Sequence, residues 1–233
     1  MVKNDQAQSI SNSNMKKNKI SASILAANFA ILREEIKNIS DSGADSIHLD
    51  IMDGHFVPNI SFGTGIVKTI KKESRIPIKT HLMISNPEKY VDEFIAAGSD
   101  TIIFHQEAVI HCDRLIDYIK NKGVRVGVSI IPSTPESVLQ YIHKKLDEIL
   151  IMTVNPGFGG QKFLSCQLKK IHNVNLMTNN ASNIDIGVDG GINPDTLKEC
   201  TKNGANLAIA GNYIFSGNDY KLKVSELRKS FEN

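Results

Sequence analysis

A repeated change of hydrophobic rhythm restricts what this chain can become. Short β-branched, apolar runs at 20–25, 44–52, 76–83, 101–105, 124–129, 148–154, 184–189 and 207–210 read as strands. Between them, apolar residues recur at helical spacing, as in Phe29, Leu32, Ile36 and Ile39. Further helices are expected over 62–72, from Asn86 to near Gly98, over 109–120, from Thr134, from Gly160 to about Asn175, from Asn193 to Gly204, and along a last stripe of Tyr220, Val224, Leu227 and Phe231. Three of these open with the same grammar, a capping Asn or Thr, then Pro, then an acid: Asn86-Pro87-Glu88, Thr134-Pro135-Glu136 and Asn193-Pro194-Asp195. Asn or Thr satisfies a free N–H, Pro costs nothing at the first helical position, and the acid suits the positive helix end. Eight alternating units in 233 residues fit an α/β fold closed as a (β/α)8 TIM barrel, at the short end of its size range. An open doubly wound sheet competes, but no Gly-rich dinucleotide fingerprint follows the first strand.

Residues 1–18 are rich in Asn, Ser, Gln and Lys and too polar to bury a core, so a disordered extension is expected before a single barrel domain at 19–233. The extension has no apolar segment of the kind that directs secretion. A formal net charge of +2 is too weak to argue for nucleic acid, and no apolar run approaches the roughly 20 residues that cross a membrane. Cys112, Cys166 and Cys200 lie far apart, which fits reduced thiols and a cytoplasmic setting better than a disulfide framework or a zinc knuckle.

The second strand is the most informative. Ile47, Leu49 and Ile51 point one way, and His48, Asp50 and Met52 the other, before the turn pair Asp53-Gly54. A buried carboxylate without a partner is very costly, so Asp50 must face other polar groups. In a barrel the site lies at the carboxyl ends of the strands. Those ends carry Ser23, then His48, Asp50 and Met52, then His81 and Met83, then His105 with Glu107 beyond, Ser129, Met152 and Asn155, Asp189-Gly190-Gly191, and Gly211-Asn212. His48, Asp50, His81 and Asp189 form a mixed nitrogen and oxygen set that suits one divalent ion such as zinc, ferrous iron or manganese. Without an ion, the two aspartates would repel and one would hold a proton. A purely structural ion-pair network is the remaining reading.

Two glycine-rich stretches argue for an anion. Asn155-Pro156-Gly157-Phe158-Gly159-Gly160 precedes an expected helix, where free N–H groups favour phosphate. Gly190-Gly191 and Gly211-Asn212 follow the seventh and eighth strands, where barrel phosphate sites commonly lie.

The motifs Ser23-Ile24-Leu25, His48-Leu49-Asp50-Ile51-Met52-Asp53-Gly54, Phe56-Val57-Pro58-Asn59, His81-Leu82-Met83, Val154-Asn155-Pro156-Gly157-Phe158-Gly159-Gly160-Gln161 and Asp189-Gly190-Gly191-Ile192 resemble those of the ribulose-phosphate 3-epimerase family, in order and spacing over nearly the whole chain. The resemblance implies a (β/α)8 barrel that interconverts D-ribulose 5-phosphate and D-xylulose 5-phosphate. It implies that His48, Asp50, His81 and Asp189 bind the metal and that Asp50 and Asp189 serve as acid and base. Ser23, Met52, Met83 and Met152 would line the reacting carbons, and Gly157, Phe158, Gly159, Gly160, Gly190, Gly191, Gly211 and Asn212 would surround the phosphate. A cytoplasmic homo-oligomer is the matching expectation. Ala22 stands where the family often has Pro, Asn28 where Asp is usual, and Asn212 where Ser is common. Rival readings are an epimerase for a six-carbon ketose phosphate, a class II-type aldolase, and a sugar-phosphate sensor without catalysis.

Overall fold

The computed structural model describes residues 16–178, 183–217 and 219–232. Eight parallel strands close into a barrel in sequence order: β1 (Lys19–Ser23), β2 (Ser46–Met52), β3 (Ile78–Met83), β4 (Thr101–His105), β5 (Arg125–Ile130), β6 (Glu148–Met152), β7 (Asp185–Asp189) and β8 (Leu207–Ala210). The ring is sealed where β8 pairs with β1, with Ala22 opposite Ala210. The polar extension expected at 1–18 lies, for residues 1–15, outside the described residues. Lys16, Lys17 and Asn18 lead directly into β1, and Asn206 donates a side-chain N–H to the Lys17 carbonyl.

The period-two reading of β2 holds along its length. Ile47, Leu49 and Ile51 join the apolar layer between strands and helices, while His48, Asp50 and Met52 point into the barrel. A strand covered on both faces buries everything, and every residue of β2 is buried. The other strands follow the same rule, so Ile103, Leu150, Met152, Leu207 and Ile209 fill the barrel as a separate inner cluster. Sheltering an isoleucine or leucine side chain contributes about 1.5–3 kcal/mol, and dozens are sheltered in the outer layer alone.

Around the barrel run α1 (Leu32–Asp41), α2 (Thr64–Glu73), α3 (Val91–Ala96), α4 (Cys112–Asn121), α5 (Gln167–Met177), α6 (Pro194–Lys202), α7 (Asn212–Phe215) and α8 (Tyr220–Ser230). The helices depart from the sequence expectation at three places. Between β5 and β6 there is no α-helix, only 3-10 turns at Glu136–Leu139 and His143–Lys145, which still bury Leu139, Ile142 and Leu146. Asn86 sits at φ 53 and caps nothing with its side chain; Pro87–Lys89 is a 3-10 turn, and only Val91–Ala96 is α-helical. The glycine stretch after β6 does not feed a helix, because 161–166 is irregular and α5 starts at Gln167. The third Pro-containing start is correct: Asn193 accepts N–H bonds from Asp195 and Thr196, and Thr196 reciprocates. The short α7 after β8 was not anticipated. No helix among the described residues is long and apolar enough to cross a membrane.

Candidate active site and metal centre

β1, β2, β3 and β7 each carry, at or within two residues of the carboxyl end, a polar residue that faces the same space. Asp50 is opposite His81 in the β2–β3 register, and Ser23 is opposite His48 in β1–β2. His48 Nε2 lies 3.3 Å from His81 Nδ1. Asp50 Oδ1 is 3.2 Å from both of these nitrogens. Asp189 Oδ2 is 3.7 Å from His48 Nε2 and 3.8 Å from His81 Nδ1. One donor atom from each residue falls within 4.8 Å of all the others. The Ser23 hydroxyl donates to Asp50 Oδ2 at 2.7 Å.

When both imidazole nitrogens are bare, they and the Asp50 oxygen point lone pairs at one another with no proton between them. A divalent ion takes a lone pair from each. Bonds of about 2.0–2.2 Å to nitrogen and oxygen set neighbouring ligand atoms roughly 3–3.5 Å apart; His48, Asp50 and His81 stand 3.2–3.3 Å apart, and Asp189 lies somewhat farther out at 3.7–3.8 Å. The residues therefore fit a metal, and nothing in their geometry selects zinc over iron or manganese.

Electrostatics separate the two aspartates. Burial opposes charge on Asp50, but His48 and His81 outweigh it and hold its carboxyl well below the usual range. Burial and the charge of Asp50 push Asp189 up to about 7. Burial likewise opposes a charged His48, yet Asp50, Asp189 and Glu148 raise its pKa. Without an ion, burial and like charge favour a proton on Asp189, while the imidazoles favour charge on Asp50.

Above the cluster opens a cavity of about 1030 Å³. Ser23, Asp50, Met52, Met83, Met152 and Asp189 line its floor and walls, while His48 and His81 lie wholly buried beneath. Met52 and Met83 form an apolar wall with Val57, backed by Leu25 and Phe56. Gly157, Phe158, Gly159, Gly160, Gly190, Gly191, Gly211 and Asn212 line the same cavity, so the expected anion residues and the carboxylates do share one mouth. The loops interlock tightly. A Cβ on Gly190, at φ +116, would stand 2.4 Å from Val154 Cγ2, and one on Gly191, at φ +65, 2.7 Å from the Phe163 nitrogen. Only glycine fits at either. Asn212 reaches over to Gly159 and Gly160, and Asn59 donates a side-chain N–H to the Gly157 carbonyl at 3.1 Å.

Several supporting residues had no assigned role in the sequence. Asp53 accepts N–H bonds from His55, Phe56 and Ser85, which ties the loop after β2 to the loop after β3. The Ser61 hydroxyl donates to the Asp50 carbonyl. Under the histidines, Lys79 and Glu148 form a buried pair at 2.6 Å. Lys79 was visible as an inward position of β3, two before His81, but its partner lies across the barrel.

The ribulose-phosphate 3 epimerase family model matches residues 19–215. The chain belongs to this family. It is 45% identical over 214 residues to the ribulose-phosphate 3-epimerase of Bacillus subtilis, covering 91% of this chain and 99% of that one. The enzyme of that name from Methanocaldococcus jannaschii is 44% identical, with 91% of this chain and 90% of that one covered. Among solved structures, orotidine 5'-phosphate decarboxylase from Pyrococcus horikoshii superposes with a TM-score of 0.66 at 13% identity, over 92% of this chain and 99% of that one, a likeness of fold alone. As a family member, the chain is an isomerase.

Proposed function

We propose that this epimerase interconverts D-ribulose 5-phosphate and D-xylulose 5-phosphate, one of Asp50 and Asp189 taking the C3 proton and the other delivering its own to the opposite face. The observation that carries this is the convergence of Asp50 and Asp189, with His48 and His81, at the floor of one cavity. His48, Asp50, His81 and Asp189 would hold one divalent ion, which when bound supplies Lewis-acid stabilisation of negative charge on the sugar oxygens. Asp50, ionised and oriented by the Ser23 hydroxyl, removes the proton from one face of C3. Charge spreads into the adjacent carbonyl as an enediolate. Asp189, holding a proton, returns one to the opposite face, and C3 is inverted. In the reverse direction the two exchange roles.

Met52, Met83 and Met152 exclude water from the intermediate, which would otherwise be quenched without stereocontrol. Backbone N–H groups of Gly157–Gly160, Gly190–Gly191 and Gly211–Asn212 surround the phosphate, and Asn212 offers its side-chain amide where relatives of this type often have a serine hydroxyl. A cytoplasmic setting goes with this reading, since the buried Cys112 and Cys200 are free thiols.

The test is exchange at C3 of ribulose 5-phosphate in heavy water, with and without a chelator. Deuterium entering C3 as xylulose 5-phosphate forms, and stopping on chelation, is the expected outcome. Carbon–carbon cleavage would make the enzyme an aldolase instead, and binding without exchange would make it a sensor.

A further inference from the structure

When His81 gives its Nδ1 lone pair to an ion, its other nitrogen carries the proton, and that proton needs an acceptor. His105, wholly buried at the end of β4, places its Nε2 2.9 Å from His81 Nε2. A nitrogen that accepts a hydrogen bond is bare, so His105 must be protonated at Nδ1. That atom lies 3.3 Å from Glu107 Oε2. The Glu107 carboxylate is itself anchored: Oε1 accepts the Ile131 N–H at 2.9 Å, and the Thr134 hydroxyl also bonds to this carboxylate. The loop that supplies Ile131 is pinned by Lys170, whose Nζ reaches the Ile131 and Pro132 carbonyls at 3.0 and 2.8 Å. The imidazoles of His81 and His105 stack at 5.0 Å, and Phe56 covers His105 at 4.7 Å.

We infer that Glu107 and His105 are positioning residues that fix the tautomer of His81, so that its Nδ1 lone pair faces the ion. Only one arrangement of protons serves all three groups when His81 is a ligand: Glu107 ionised, His105 protonated at Nδ1, His81 protonated at Nε2. Reversing the chain would put a proton on His81 Nδ1 and close that ligand position. His48 has no such support, because its Nδ1 is buried without a hydrogen-bond partner among the described residues. The relay therefore sets His81 apart as the ligand whose orientation is built into the fold.

This inference rests on the metal reading above, and the two fail differently. In zinc-loaded wild-type protein, nitrogen-detected NMR should place the His81 proton on Nε2 and the His105 proton on Nδ1. Chelator competition should find zinc held roughly 10–100-fold less tightly by His105→Phe. His105→Gln, whose amide oxygen can still accept the His81 proton, should recover most of that loss. A His81 proton on Nδ1 in the zinc-loaded protein, or zinc affinity unchanged in His105→Phe, would overturn the relay while leaving the metal site standing. A wild-type protein that binds no zinc, ferrous iron or manganese would overturn both.

Discussion

Asp50 and Asp189 have the same side chain and opposite chemistry, and the difference lies in what surrounds each. Asp50 meets two imidazoles and a serine hydroxyl, whereas Asp189 meets chiefly burial and its neighbour's charge. Asp50→Asn and Asp189→Asn should each lower turnover by at least about 10²–10⁴-fold, with unfolding midpoints close to wild type. Near-normal turnover in either would refute the two-base mechanism. Glu107 gives a second test, read through pH. Its carboxyl is held near 2, against an ordinary 4.5, because hydrogen bonds from His105, Thr134 and Ile131 outweigh its burial. A folded-state value below the unfolded one stabilises the protein above the unfolded value, and that contribution is lost as pH falls from about 4.5 towards 2. Denaturant titrations of wild type and Glu107→Gln should therefore diverge at neutral pH and converge towards pH 2. A constant gap across that range would exclude the linkage.

At the scale of elements, the same local grammar led to different outcomes in different settings. Asn193 caps α6 as its sequence implies, and Asn193→Ala should cost about 1 kcal/mol in chemical unfolding. Thr134 has the same setting but spends its hydroxyl on Glu107, and the segment after it settles into 3-10 turns. No short-range pattern could reveal this, because Glu107 belongs to the previous strand's loop. The strands were legible throughout as short β-branched, apolar runs, and the alternation of β2 alone located half of the candidate metal set. What stayed hidden were pairings across the barrel. Lys79 and Glu148 are separated by 69 positions and meet only after closure. His105 and Glu107 were noted at a strand end, but their connection to His81 depends on ring orientation, which the sequence does not encode locally.

For the whole molecule, the barrel interior carries charge as well as hydrocarbon, and this has a measurable cost. Removing one partner of Lys79–Glu148 strands the other, so Glu148→Ala should destabilise by about 3–5 kcal/mol. Replacing both with well-fitted apolar residues should be close to neutral in thermal unfolding. Zinc at a hundred times its dissociation constant should add about 2.7 kcal/mol, seen as a rise of several degrees in the unfolding midpoint that a chelator reverses.

The seam between β1 and β8 has a further consequence. Ser23 is contributed near the start of the folded chain and Asn212 near its end, and both line the same cavity. On the ribosome, Asp50 of β2 would emerge long before Asp189 of β7 and before the last strand that shuts the ring. A chain that stops before β8 would leave the ring open and the cavity without Gly211 and Asn212.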